Sequence, residues 1–305
     1  MQDSFLRRFT KNKVFLVMLI PGVVYTLLFA YIPMCGIILA FKKYTYAGGI
    51  FGSQWIGLKN FEFFFKSGRA FLVTRNTVLY NLLFIAFNMV LQMAVAILLT
   101  EIKGSKFKKI SQSLMFLPYF ISWVVVSVIA FNILSYDFGF INSLLAKMGF
   151  DKVNFYNNGA YWPAILTLFG AWKGVGYGSV MYLAAIMGID TEVYEAAAID
   201  GAGVFRRIFT ITIPLMMPTV MILLLLSIGG IFKGNFDMFY NLIGNNGTLH
   251  SWTDVIDTFT FRALITNNDF GMSSAVGLFQ SVLCFATVLL ANKLTRLYNE
   301  DYSLF

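Results

Sequence analysis

The sequence is poor in charged residues. Asp, Glu, Lys and Arg make up 12% of its 305 residues, whereas 58% are hydrophobic and the mean hydropathy is +0.71. Soluble domains carry about 25% charged residues, so a chain with half that share cannot cover a water-exposed surface in the usual way. The composition predicts an integral membrane protein and leaves little length for a separate soluble domain.

Cysteine and histidine are scarce as well. Cys35 and Cys284 both lie in apolar stretches and form neither a disulfide framework nor, by themselves, a metal site. Because His250 is the single histidine, imidazole chemistry has little support. The net charge of +8 would suit nucleic-acid binding in a soluble protein, but no Lys/Arg run is interleaved with stacking aromatics. The basic residues flank apolar segments, which indicates orientation in a membrane.

A cleavable secretory signal is also missing. Basic residues precede the first apolar run, as they do in a signal peptide. The run extends over 14–41, far beyond the roughly 7–15 residues of a signal core, and no small-residue cleavage site follows it. We therefore expect a retained membrane anchor.

The sequence contains six apolar stretches whose lengths are close to the roughly 20 residues that a membrane-spanning helix needs. They predict an all-α integral membrane protein, with one transmembrane domain over residues 1–305. Pro21 and Pro33 predict a kink or a steep tilt in the first span. The six predicted spans cover about 14–41, 77–99, 114–134, 163–187, 214–232 and 272–291.

The distribution of Lys and Arg predicts the orientation. Segments on the side of the N-terminus carry 12 of these residues, and the longer segments on the other side carry 10. The short loop after the second span decides the orientation, because four lysines cluster there. By the positive-inside rule, both termini are expected in the cytoplasm.

The predicted cytoplasmic loop at 188–213 contains a short helix signal. Asp190 or Thr191 can cap this helix, three alanines from Ala196 favour it, and Gly201 can end it in a left-handed conformation. Nine helical residues would span about 14 Å. Such a small, smooth helix with Glu195 projecting from it suits docking into a partner's groove. An ordinary interfacial loop helix is the alternative.

At this loop the sequence resembles the permease subunits of binding-protein-dependent ABC importers. Their motif is Glu-Ala-Ala, three residues, Gly, nine residues, Ile, any residue, Leu and Pro. Ile213 replaces the usual Leu, which is a conservative departure. The residues that match the motif or its common Asp-Gly-Ala extension are Glu195, Ala196, Ala197, Asp200, Gly201, Ala202, Ile211 and Pro214.

Weaker sequence similarities extend over nearly the whole chain. The segments that begin at Tyr31, Ala40, Gly52 and Thr253 resemble the carbohydrate-importing branch, and within it the LplB-like polysaccharide permeases. The resemblance implies uptake of an oligosaccharide into a bacterium through a pore in its cell membrane, of which this chain forms half. It also implies a second, related permease, two copies of an ATP-binding subunit and an extracellular solute-binding lipoprotein.

The resemblance further implies that the loop helix couples the pore to the ATPase. The sequence has no Gly-x4-Gly-Lys-Ser/Thr phosphate loop. We therefore expect no enzymatic activity and no bound cofactor in this chain, with ATP and Mg²⁺ used by the partner ATPase.

Candidate pore residues lie at membrane depth. Lys173 falls about 15 Å into the fourth predicted span, where an ionisable side chain normally faces the bundle or a wet cavity. It can contact substrate, or it can bond backbone carbonyls. Aromatic residues that can stack on sugar rings, or simply pack in the bundle, are Trp172, Tyr177, Tyr119 and Trp123. Amides that can bond hydroxyls are Asn88, Gln92 and Gln280.

Three rival functions differ in the residues that they need. A membrane enzyme needs paired carboxylates, a Ser/Lys pair or metal ligands at membrane depth, and Lys173 has no evident partner of that kind. A secondary transporter often has inverted repeats, and no repeat is visible here. An ABC permease for a non-sugar solute is the nearest alternative.

Overall fold

The computed structural model of the chain describes residues 13–102 and 104–298, and helices make up most of that part. Two short antiparallel strands, β1 Lys42–Lys43 and β2 Gln54–Trp55, pair after the first helix. The longer helices are α1 Lys13–Phe41, α2 Lys59–Lys66, α3 Arg69–Glu101, α4 Ser105–Phe120, α5 Trp123–Leu134, α6 Phe140–Lys147, α7 Trp162–Met187, α8 Thr191–Ile199, α9 Val204–Gly229, α10 Phe236–Ile243, α11 Ile256–Ile265 and α12 Phe270–Tyr298. Single helical turns at Gly49–Gly52, Gly159–Tyr161, Gly247–Leu249 and His250–Thr253 lie in the connections.

The first helix changes geometry along its length. An α-helical part gives way to a π-helical turn at Leu27–Tyr31 and ends in a 3-10 helix at Cys35–Phe41. Pro33 has no N–H to donate to the carbonyl of Phe29, which favours the wider π turn. No residue between Lys13 and Met34 is buried, and the 3-10 end packs on α12. The helix therefore contacts the rest of the chain through its last turns.

In the part of the chain that the structure describes, four helices are long and apolar enough to cross a bilayer, namely α1, α3, α9 and α12 over Phe270–Leu297. The pair α4 and α5 provides a fifth crossing if it counts as one broken span. The predicted span at 163–187 coincides with α7, which has 26 residues. Lys173 and its neighbouring glycines interrupt the apolar residues of α7, and its crossing of the membrane stays a prediction.

The predicted span at 114–134 is not one continuous helix in the structure. Helices α4 and α5 are bent by 95° around the two residues between them. Pro118 removes a backbone donor from the last turn of α4, and Ser122 then starts α5 by accepting a hydrogen bond from Val125 N–H at 3.4 Å. The apolar run is continuous through this break, so hydropathy gave no sign of it.

Several helix boundaries also differ from the predicted spans, including one end of α3 and both ends of α9. Helix α3 begins at Arg69 instead of near 77, directly after Gly68 at φ +71°. Helix α9 begins at Val204, inside the predicted loop at 188–213, and ends at Gly229 instead of near 232. Hydropathy marks only the apolar part of a helix, and these helices continue through more polar residues.

Two cores hold α3 against α7, which packs along it. One core lies at the α10 end of the pair and includes Tyr80, Trp162 and Phe239. The other lies at the α8 end and includes Leu183 and Met216. Between the two cores, α3 and α7 line an open cavity. A third core joins α2, α3, α11 and α12 around Phe64, Val73, Ile256 and Val276.

Candidate functional site

Helix α8 has the two ends that the sequence predicted. The Asp190 side chain accepts a hydrogen bond from Glu192 N–H at 3.0 Å and caps the first turn. At the other end Gly201 has a φ of +74°, and Ala202 N–H donates to Ala197 O at 2.9 Å. This bond is the long bond of a Schellman turn, which stops the helix after nine residues.

Helix α8 lies on the surface of the chain. None of its residues is buried, including Glu195 and Ala196. Two apolar side chains next to its C-terminal end are largely uncovered, with Ile199 87% exposed and Phe205 79% exposed. Asp200 is exposed as well. The helix thus exposes small residues, a carboxylate and an apolar edge on the surface of the chain.

A side-chain contact links α8 to α9. The hydroxyl of Tyr194 lies 3.0 Å from Oγ1 of buried Thr212. Thr212 ends a π-helical turn within α9, Ile208–Thr212, which also contains Ile211 and ends two residues before Pro214. Because Pro214 cannot donate to the carbonyl four residues earlier, the wider turn is expected there. This contact therefore joins α8 to the π-helical turn of α9.

The open cavity between the two cores has a volume of about 920 Å³. Helices α3, α4, α5 and α7 and the segment from Lys233 to Asn241 line it. An adjoining cavity of about 350 Å³ shares five of its lining residues and continues toward Gln92, Tyr182 and Ser227. Together they form a path along the middle of α3 and α7 that is lined by both polar and apolar side chains.

Lys173 lies in this cavity at the break between α4 and α5. Its ammonium group donates to Tyr119 O at 2.5 Å and to Pro118 O at 3.3 Å, carbonyls that face the break. It also lies 5.4 Å from the ring centroid of Tyr119 and 5.6 Å from that of Trp123. The bond to backbone carbonyls, one of the two roles considered for Lys173, is thus present. The other role, contact with substrate, stays a prediction.

Most of the other pore candidates lie around Lys173. Tyr119 and Tyr177 stack on each other, with centroids 4.3 Å apart and planes at 7°, so each covers one face of the other. Asn88 lines both cavities and donates to Phe84 O at 2.9 Å. Gln92 packs directly against Gly178, where a Cβ atom would come within 2.2 Å of its amide.

Two candidates lie elsewhere. Trp172 lines an apolar groove with Ile129 and Leu168, because it is adjacent to Lys173 in sequence and so points about 100° away around α7. Gln280 is outside the cavity as well. It donates to Phe232 O at 2.7 Å and to the carboxylate of Asp257 at 3.0 Å.

The Asp257 carboxylate also accepts a hydrogen bond from Gly234 N–H at 2.5 Å. Burial raises the pKa of this carboxyl above its usual value, and the two hydrogen bonds oppose that rise. Asp257 and Gln280 thus hold Gly234, which is part of the cavity wall.

Several residues of the cavity wall were not predicted from the sequence. Asn81 donates to Ile231 O at 2.9 Å and Lys233 O at 3.0 Å, which fixes the segment after α9 onto α3. Lys233 and Asp237 add charge to the wall. An amide within the predicted span at 77–99 was a signal for Asn81, whereas Lys233 and Asp237 lie in a loop whose course the sequence does not define.

Residues 92–299 match the family described as "Binding-protein-dependent transport system inner membrane component". The matched region contains the whole segment from α8 to α9 described above. The chain belongs to this family. It is therefore the membrane permease of a transport system, and the resemblance of its loop to ABC permeases is confirmed.

Curated relatives agree over nearly the full length. The permease is 36% identical to the polygalacturonan/rhamnogalacturonan transport system permease protein YteP of Bacillus subtilis, over 95% of this chain and 90% of YteP. It is 33% identical to Protein LplB of the same organism, over 98% of this chain and 93% of that protein.

Solved structures show the same fold. A chain of a bacterial ABC transporter involved in the import of the acidic polysaccharide alginate superimposes with a TM-score of 0.88 at 29% identity, covering 97% of the permease and 100% of that chain. A second structure of a bacterial alginate ABC transporter, in complex with an alginate pentasaccharide-bound periplasmic protein, gives a TM-score of 0.87 at 29% identity, over 96% and 98% of the two chains.

Proposed function

We propose that this permease forms half of the pore of an ATP-driven importer and that the pore admits an acidic oligosaccharide. The observation that carries this proposal is the cavity around Lys173, which combines positive charge, aromatic rings and amides. The cavity wall includes two lysines, Lys173 and Lys233, against one carboxylate, Asp237. A chain of uronate sugars would meet a net positive wall, and the rings of Tyr119 and Trp123 suit the apolar faces of sugars.

The names of similar proteins favour the same substrate class. YteP is a permease for polygalacturonan/rhamnogalacturonan, and both structural neighbours belong to alginate transporters. In one of them a periplasmic protein carries an alginate pentasaccharide. We propose that an extracellular solute-binding lipoprotein likewise delivers substrate to this permease, on the side opposite α8.

A second permease chain would complete the pore. The cavity is open on one side at mid-helix, and Lys173, Asn88 and Gln92 lie on its wall. Polar groups at membrane depth are costly when they face lipid, so the open side needs a polar protein surface. A related but different chain fits this requirement.

We propose that α8 is the coupling helix, seated in a cleft of one of two ATPase subunits, and that both termini lie in the cytoplasm. Its exposed surface and its bond to Thr212 support that role. On this proposal the permease itself catalyses no reaction and binds no cofactor, while ATP and Mg²⁺ act in the ATPase. The coupling residues are Glu195, Ala196, Ala197, Asp200, Gly201, Ala202, Ile211 and Pro214.

The substrate proposal is tested by Lys173→Gln in the assembled transporter. Glutamine keeps an N–H donor for the carbonyls at the helix break but removes the positive charge. We expect uptake of an acidic oligosaccharide to fall by about ten-fold, as for the loss of one charge-assisted bond. Uptake of a neutral oligosaccharide and basal ATPase activity should change little, as measured with radiolabelled sugars in proteoliposomes.

Lys152→Gln is a matched control. Lys152 also lies over a tyrosine ring, at 5.6 Å from the centroid of Tyr136, and also donates to a backbone carbonyl, that of Asp137 at 3.3 Å. It is not part of the cavity wall. Equal losses of acidic and neutral uptake in Lys173→Gln would show that Lys173 only supports the helix break.

The alternatives are an ABC permease for a non-sugar solute and, with less support, a secondary transporter. Purification of tagged permease from its native membrane distinguishes an importer from a secondary transporter. The importer proposal requires an ATPase subunit in the purified complex and its loss when α8 is altered. Recovery of a fully active transporter without any ATPase would contradict it. Uptake of a small non-sugar solute in preference to oligosaccharides would support the first alternative.

A further inference from the structure

A second groove, about 620 Å³ in volume, has no lining residue in common with the Lys173 cavity. One wall is a single face of α3, on which Arg75, Leu79 and Leu83 follow one another at intervals of four residues. The opposite wall includes Pro163 at the start of α7 and Trp252. The groove is therefore apolar along most of its length and has one positive charge near an end.

The position of Arg75 along α3 places its charge at headgroup depth. About 39 Å of helix separates Arg75 from Glu101 at the opposite end of α3. A bilayer is about 40–45 Å thick including its headgroups, with a hydrocarbon core of about 30 Å. Leu79 and Leu83 are about 6 Å and 12 Å further along the helix, toward the hydrocarbon.

The guanidinium group of Arg75 is available for an anion. Among residues 13–102 and 104–298, no carboxylate lies within ion-pair distance of it. Its hydrogen bond is to the side-chain oxygen of Asn76, at 3.1 Å. Asn76 is itself buried and donates to the carbonyls of Ser251 and Asp254, so this partner is fixed. Arginine in such a setting suits bidentate binding of phosphate.

Trp252 makes the opposite wall rigid. Its indole packs directly on Gly159, where a Cβ atom would come within 2.1 Å of Cδ1. The side chain is nevertheless half exposed. An indole at headgroup depth is typical of the membrane interface, where its apolar and polar parts are both satisfied.

We propose that this groove binds an anionic glycerophospholipid, with the phosphate on Arg75 and one acyl chain along Leu79 and Leu83. Charge, depth and the apolar run agree on this occupant, whereas a water-soluble anion would make no use of the two leucines. The site is independent of the transported substrate and requires only that α3 crosses the membrane.

Native mass spectrometry of the full-length permease, purified in mild detergent, tests this site. The protein is incubated with equal amounts of phosphatidylglycerol and phosphatidylcholine, and the retained lipids are counted. We expect retention of phosphatidylglycerol in preference to phosphatidylcholine and a roughly five-fold loss of that preference in Arg75→Gln. Arg69→Gln is the matched control, because Arg69 begins the same helix but does not line the groove. It should keep the preference.

Two further measurements identify the ligand that occupies the groove. Soluble glycerol phosphate should not displace the lipid, and Leu83→Gln should weaken retention of both lipids. An equal preference in wild type and Arg75→Gln would overturn the site, and displacement by glycerol phosphate alone would reduce it to an anion site. Loss of the lipid when the permease is purified with its partner subunits would show that protein covers the groove, and would also overturn the proposal.

Discussion

Lys173 shows what a single residue in an apolar segment requires. Its charge is stabilised by two backbone carbonyls and two aromatic rings. A sequence can predict that such a charge needs partners, because an isolated ion in a bilayer is costly. It cannot identify these partners, because they lie more than 50 residues earlier and depend on the break after Pro118.

Glycines on the same helix have different roles that the structure separates. A Cβ atom on Gly176 would lie 1.9 Å from Met115 O in α4, whereas one on Gly174 would meet nothing within 4 Å. The contact at Gly176 is with backbone, so it cannot be relieved by a side-chain movement. Gly176 therefore allows α4 and α7 to approach closely.

We predict that Gly176→Ala lowers the thermal denaturation midpoint of the detergent-solubilised permease by several degrees. The reason is overpacking, which typically costs about 1–3 kcal/mol. Gly174→Ala, the matched control, should leave the midpoint unchanged or raise it slightly, because alanine favours the helix. The same midpoint in both variants would mean that α4 and α7 are not in close contact.

At the scale of elements, local signals were sufficient for α8 but not for the helix pair α4 and α5. The cap at Asp190, the length of nine residues and the left-handed Gly201 all depend on neighbouring residues, and each prediction is confirmed. The 95° bend between α4 and α5 was missed because Pro118 and Ser122 lie within one apolar run. Hydropathy predicts that such a run is buried in membrane, but not that it is straight.

The coupling role of α8 predicts a specific loss. Glu195→Ala removes the exposed carboxylate, and Gly201→Asp places a side chain at φ +74°, which costs roughly 1–2 kcal/mol and disturbs the turn. Substrate uptake in proteoliposomes should fall by about ten-fold or more in each variant. The amount of permease inserted in the membrane should be unchanged, as measured by immunoblotting.

Gly203→Asp is the control for the glycine change. Gly203 is two residues away, has a φ of −67° and has open space around its Cα. It should retain uptake near the wild-type value. If Glu195→Ala and Gly201→Asp both transported normally, α8 would be an ordinary loop helix.

At the scale of the whole molecule, contacts between helices join α11 to α3, α12 and the segment after α9. Asp254 forms an ion pair with Arg262 and its backbone carbonyl accepts from Asn76, which joins α11 to α3. Asp257 joins α11 to α12 through Gln280 and to the segment after α9 through Gly234. The contacts of Asn76, Gly234 and Gln280 could not be predicted from one sequence, since their partners are 23 to 178 residues away. The family and its loop motif could be predicted, because local spacing carries them.

The buried carboxyl of Asp257 makes the stability of the folded protein depend on pH. Its pKa is raised in the folded protein, so folding favours the protonated form. Asp257 therefore contributes stability that is fully present below the usual carboxyl pKa and is lost as pH rises through the raised value.

Asp257→Asn removes the charge and keeps an acceptor oxygen for Gly234 N–H. We predict that its denaturation midpoint, relative to wild type, increases from pH 4 to pH 7. Asp151→Asn, at an exposed loop position, should show no such trend, and a constant difference between Asp257→Asn and wild type would place the origin of the pH dependence elsewhere.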